Sequence, residues 1–159
     1  MNNTDFHFFQ QGGGISCYFF LEEIMNKKRI IVNSRDFLKL KQIINEGKAH
    51  GNENVKNLDV ELSNALLLDP KRIPSDVVTM NTKVRFIDIN ESEEFVYTLV
   101  YPEDADLTHG KLSVLAPIGT ALLGYREGNE LVWNVPAGLK SFRIDKILYQ
   151  PEANGDYHH

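Results

Sequence analysis

The sequence predicts an α+β protein: a short N-terminal helical hairpin followed by an antiparallel sheet domain that carries one short helix. Three observations lead there. Apolar residues recur at helical spacing through Phe37, Leu40 and Ile44, and again through Leu58, Leu62, Ala65 and Leu66. Past the polar stretch KRIPSD, Lys71 to Asp76, the period falls to two, so that Phe95, Tyr97, Leu99 and Tyr101 alternate along one strand. Between later strand runs, LAPIGTALLGYREGNELVW (Leu115 to Trp133) sets a proline before an apolar run and a glycine after it.

The elements follow in order. Arg29 to Val32 is a short strand or extended entry, and Ser34 is the expected N-cap of a helix reaching Asn45. Glu46 to Asn57 is polar, contains glycine and reads as a loop, and the second helix must stop before Pro70. Val84, Phe86 and Ile87 lie in a strand, Asn90 to Glu93 form a polar turn, and Asp104 to Gly110 form a loop before a strand at Lys111 to Leu115. Pro117 suits the first turn of a helix, where a missing N–H costs nothing, with Ile118, Ala121 and Leu122 as its apolar stripe. Gly124 is the expected left-handed residue after that helix, and Gly128-Asn129 is turn chemistry. Leu131 to Val135 and Phe142 to Tyr149 are the last strands. The latter changes phase, because Phe142 and Ile144 share one parity and Ile147 and Tyr149 the other, which predicts a bulge near Asp145.

Composition narrows the function. The chain has 159 residues, 42% hydrophobic and 25% charged, a globular balance. Its net charge of -5 argues against broad affinity for nucleic acid, and Lys27-Lys28-Arg29 is the one basic cluster in the sequence. Cys17 is the single cysteine, so no intrachain disulfide forms. No apolar run nears the ~18 residues of a membrane span. ISCYFFL (Ile15 to Leu21) has no basic residue before it as a signal peptide would. The expectation is a cytoplasmic protein. Residues 1–24 differ in character from the rest, and Met25 is read as the natural start, with 1–24 as a non-native or flexible extension.

No catalytic constellation emerges. His7, His50 and His109 are isolated, and His158-His159 sit together at the chain's end. Ser113 and Thr120 lack a partnered base. Asp104 and Asp106 could be a carboxylate pair but read as a solvated loop, and Glu91, Glu93 and Glu94 as a hairpin tip. Tyr125 and Trp133 are read as core residues rather than base-stacking platforms. The glycines of the Leu115–Trp133 stretch are not a phosphate loop, since no Gly-Lys-Ser/Thr closes it. The residues thus describe a small, acidic, non-catalytic binding protein with no metal or cofactor.

Several blocks carry a family resemblance: DVVTMNTKVRF (Asp76–Phe86), TLVYP (Thr98–Pro102), LSVLAPIGTALLG (Leu112–Gly124), VPAGL (Val135–Leu139) and YQPEANGDY (Tyr149–Tyr157). In them the chain resembles the bacterial regulators of nucleoside diphosphate kinase, relatives of the Gre transcript-cleavage factors, from about Arg29 to its end. The resemblance implies a helical hairpin over 25–70 and a Gre-type, FKBP-like domain over 71–159, with His158-His159 as the native end. It also implies docking on RNA polymerase near the mouth of the secondary channel. Gre factors make that contact with an Asp-Ser-Pro triplet opening the short helix. Here Pro117 matches, Leu115 stands for the Asp and Ala116 for the Ser, so Leu115, Ala116 and Pro117 are the expected partner-binding residues. Gre factors also carry a long coiled coil whose paired tip carboxylates bind a magnesium ion inside the polymerase. Here helix 1, read as about a dozen residues, spans only ~16–18 Å. The segment Glu46–Asn57 holds Glu46 and Glu53 but no adjacent acidic pair. A polymerase-binding elongation regulator that does not stimulate cleavage is therefore expected. The alternative is a peptidyl-prolyl isomerase, suggested by the implied fold alone.

Overall fold

The computed structural model describes residues 29–157. Residues 1–24, Met25, His7, Cys17, Lys27, Lys28 and His158-His159, with the expectations attached to them, lie outside the described residues. The chain enters through β1 (Ile31–Asn33) into α1 (Ser34–Ala49). Asn33, not Ser34, is the N-cap, its side chain accepting from the Arg35 N–H. Both residue types cap well, and the extended backbone of Asn33 decides between them.

The expected loop at Glu46–Asn57 is mostly helix. α1 runs on through Gly47 to Ala49, and α2 (Asn54–Ser63) begins after a short turn. Gly47 is there for close approach: a Cβ on it would lie 2.4 Å from Val55 Cγ1 across the α1–α2 contact. Lys41 and Lys48 on α1 both reach Asp59 on α2. These contacts hold Asp59 below the usual carboxylate range, Lys41 contributing most and Lys48 next. Leu40, Ile44, Val55, Leu58 and Leu62 are buried as the periodicity requires. Leu66, expected on the same helical face, instead starts β2 (Leu66–Leu68), which pairs in parallel with β1.

The larger sheet has the order β5-β4-β3-β7-β6. Its strands are β3 (Lys83–Asp88), β4 (Glu93–Val100), β5 (Lys111–Ser113), β6 (Glu130–Val135) and β7 (Gly138–Tyr149). Three of its four pairings are antiparallel, but β5 runs parallel to β4. The segment between them coils through two 3-10 turns, Pro102–Asp104 and Leu107–His109, and so returns the chain to lie beside β4 in the same direction.

Phe95, Tyr97 and Leu99 face the core, and the Phe86 ring stacks on Phe95 at 5.3 Å and meets Phe142 edge-on at 5.8 Å. Val96 points away and is 42% exposed, whereas Val100, expected on that open face, is buried outside the main cluster. In β7, Arg85 pairs with Lys146 and Phe86 with Ile144, so Asp145 is the extra residue of a bulge. Pairing of Lys83 with Tyr149 and Val84 with Ile147 leaves Leu148 as a second. α3 (Pro117–Leu122) lies between β6 and α2.

Candidate functional site

The chain leaves the sheet at Ser113, and nearly every polar group near it turns the backbone into α3. Ser113 Oγ accepts from the Leu115 N–H at 3.1 Å, and the Ser113 carbonyl accepts from the Ala116 N–H at 3.0 Å. Thr120 reaches back from the helix, its Oγ1 donating to the Val114 carbonyl at 2.6 Å. Gly119 lets the helix sit on the strand end, since a Cβ there would fall 2.0 Å from the Ser113 carbonyl oxygen. Pro117 occupies the first helical position, as expected. The N-cap is Ala116, which has no side-chain oxygen to offer the helix. Gly124 follows the helix with φ +78°, the left-handed conformation anticipated for it.

The corner built this way is an apolar ledge. Leu115, Ala116, Pro117 and Ile118 are all half-buried, and Leu115, Ala116 and Ile118 rest one side against the core. The three sequence-predicted residues are thus contiguous and partly open, and none carries charge.

The other candidates have structural duties. Asp106 accepts from Thr108 Oγ1 at 2.6 Å and from its N–H at 3.1 Å, and meets His109 Nδ1 at 2.6 Å. Thr108 first, then His109, hold Asp106 below its ordinary range. It closes its own turn, and Asp104 is exposed beside it. His50 Nδ1 lies 2.7 Å from the Glu46 carbonyl. Glu91 pairs with Lys140. Tyr125 and Trp133 pack against the core, as read from the sequence. Among the described residues, no group of His, Cys, Asp and Glu could hold a metal ion.

Sequence reasoning missed a buried polar network joining α1 to the C-terminal tail. Glu152 accepts from Asn33 Nδ2 at 2.9 Å and from Thr79 Oγ1 at 2.8 Å. The Tyr101 hydroxyl donates to Asp36 at 3.0 Å, and burial, followed by the Asp36 charge, pushes its pKa far up. Lys39 covers the Tyr101 ring at 3.7 Å. Beside this network an open cleft of about 480 Å³ is lined by Arg35, Asp69, Pro70, Lys71 and Tyr157. Asn33 and Glu152 stand 119 positions apart, so no local pattern could have paired them.

The C-terminal family of the GreA/GreB transcription elongation factors matches residues 73–149, the span holding the five-stranded sheet and the corner. A solved structure, the prokaryotic transcription elongation factor GreA/GreB from Nitrosomonas europaea, matches with a TM-score of 0.64 at 39% identity, covering 76% of this chain and 100% of that one. The GreA elongation factor of Syntrophotalea carbinolica is 34% identical over 95 residues, 60% of this chain and 60% of its own. The sheet and corner are therefore of the GreA/GreB C-terminal type. Similarity to the regulator of nucleoside diphosphate kinase of Escherichia coli strain K12 runs further, 37% identity over 134 residues, 84% of this chain and 98% of that protein. The chain belongs to this family of regulators. Its relatives are named for regulation and elongation rather than for an enzymatic reaction.

Proposed function

We propose that the protein binds RNA polymerase near the mouth of its secondary channel and regulates elongation without stimulating transcript cleavage. One observation carries this reading. The half-exposed ledge Leu115-Ala116-Pro117 opens α3 within the span that matches the GreA/GreB C-terminal family. An apolar ledge that is neither core nor charged is the kind of surface an interface uses. On this reading 71–159 is the docking domain, with FKBP-like architecture, and 25–70 is the N-terminal unit that carries the helical hairpin.

Absence of cleavage stimulation follows from reach and ligands. The 16 residues of α1 are longer than the sequence suggested, yet still span only about 24 Å. Around the turn between α1 and α2 stand Glu46, in the last turns of α1, and Glu53, and these are engaged by Gln42 and Lys56 respectively. No adjacent acidic pair stands there to hold a catalytic magnesium. The isomerase alternative finds no support in the relatives' names.

The experiment is co-purification with core RNA polymerase, with and without a competing Gre factor, beside an assay on backtracked complexes. The protein should bind, be displaced by the competitor, leave the RNA intact and slow Gre-stimulated cleavage. Leu115→Asp restores the charge found in Gre factors and should change affinity in a protein that still folds. Robust cleavage by the pure protein, or no polymerase binding by the wild type, sinks the proposal.

A further inference from the structure

The face of the five-stranded sheet turned away from the core gathers cations that stand far apart in the sequence. Register assigns them. Lys83 pairs with Thr98 and with Tyr149, Arg85 with Val96 and with Lys146, Ile87 with Glu94 and with Arg143, and Thr98 in turn with Lys111. Cross-strand partners share a side of the sheet, and the residues alternating with these, Val84, Phe86, Leu99 and Ile144, are core. Lys111, Lys83, Arg85, Lys146 and Arg143 therefore lie on one outer face. The bulges make this possible: with strict alternation from Arg143, Lys146 would turn towards the core.

Lys83, Lys111, Arg143 and Lys146 are exposed, and among the described residues none of the four forms an ion pair. Arg85 is held by Asp145. The other carboxylates in register with the face are Glu94 and Glu130, alongside Ile87 and Arg143, and Asp106, which bridges Lys111 through the backbone while its carboxylate is engaged by Thr108 and His109. Strands stand about 4.8 Å apart and same-face residues about 6.7 Å apart along them, so the five cations fit within roughly 20 Å. This is a basic surface on a chain of net charge -5. Aliphatic side chains lie among the charges: Val96 is 42% exposed, Ile87 is half-buried, and Val132 towards the β6 edge is 61% exposed.

We propose that this outer sheet face is a second docking surface, separate from the Leu115–Pro117 corner, for a protein surface bearing carboxylates and aliphatic side chains. That the polymerase supplies this surface rests on the function proposed above. Charge complementarity favours an acidic partner, and the aliphatic residues among the cations favour a protein over nucleic acid. A single-stranded nucleic acid would call for aromatic platforms, and Tyr149 alone offers a partly exposed ring on this face.

The test is zero-length coupling of the protein to core RNA polymerase with a carbodiimide. The reagent takes up the water lost as a lysine amine and a carboxylate form an amide, and mass spectrometry locates the bonds. Lys83, Lys111 or Lys146 should couple to Asp or Glu of the polymerase. The double variant Lys83→Glu/Lys146→Glu should melt like the wild type, bind about tenfold or more weakly, and lose the salt dependence of the wild type. Wild-type complexes without couplings to this face, with the double variant binding normally, overturn the inference and leave the corner reading standing. No wild-type complex at all overturns both. A labelled single-stranded RNA bound by the wild type and released by the double variant overturns the partner class.

Discussion

Gly119→Ala tests whether the corner is as tightly built as its geometry indicates. The added methyl would lie 2.0 Å from the Ser113 carbonyl oxygen, 3.0 Å from its carbon and 3.2 Å from Val114 Cα, all backbone atoms that cannot swing aside. Restoring van der Waals distance requires α3 to move off the strand end by about 1 Å. That motion strains three hydrogen bonds: Leu115 N–H to Ser113 Oγ, Ala116 N–H to the Ser113 carbonyl, and Thr120 Oγ1 to the Val114 carbonyl. Overpacking costs about 1–3 kcal/mol, and each bond contributes about 0.5–1.5 kcal/mol, partly retained after the shift. Alanine's better helix propensity returns up to about 1 kcal/mol. The expected net loss is about 2–4 kcal/mol, a fall in Tm of roughly 4–16 °C for a chain of this size. Urea denaturation followed by circular dichroism measures the stability, and a pull-down at a temperature where the variant is folded measures polymerase binding. A variant within about 0.5 kcal/mol of the wild type would falsify the close-approach argument, and full binding despite a displaced α3 would remove the corner from the interface.

Three further outcomes are expected. Leu99→Ala empties a fully buried site on β4 and should cost about 2–5 kcal/mol in chemical denaturation. Ala116→Ser supplies the missing N-cap oxygen of α3 and should stabilise by about 0.5–1 kcal/mol, unlike the other substitutions here, as read by thermal melts. Asp76 receives two guanidinium hydrogen bonds from Arg126, at 2.8 and 2.9 Å, which hold its carboxyl below the ordinary range. A depressed folded pKa contributes stability that is present above the unfolded value of about 3.9 and is lost as pH falls through the folded value. Asp76→Asn should therefore melt lower than the wild type at neutral pH, and the gap should close below about pH 4; a constant gap from neutral to acid would show that the charge is not responsible.

What the sequence made legible was local chemistry. Pro117 at the first helical position, the left-handed Gly124 and the bulge at Asp145 each follow from residues within a few positions of each other, and the structure has all three. What it hid was decided by distant partners. Leu66–Leu68 continues a helical pattern and becomes a strand because β1 lies alongside it. Gly47 reads as a helix breaker and sits inside a helix because Val55 needs its space. The corner was legible through its punctuation and family resemblance. The basic sheet face was not, because its residues come from three strands and the phase of Lys146 depends on the bulge.

Gly124 has a mechanical consequence. Its N–H donates to the Val78 carbonyl at 2.8 Å, its own carbonyl accepts from the Ile31 N–H at 3.0 Å, and Ile30 leaves no room for a side chain between them. The residue that ends the helix of the corner is thus also the seat on which the chain entering α1 rests. A load applied to the α1–α2 pair passes through β1 into the end of α3 by one peptide hydrogen bond and a close backbone contact, while the Gly124–Val78 bond braces the same residue from the other side. The α1–α2 pair is therefore mechanically tied to Leu115-Ala116-Pro117, and under the function proposed above crowding at the tip of the pair would be transmitted to that corner.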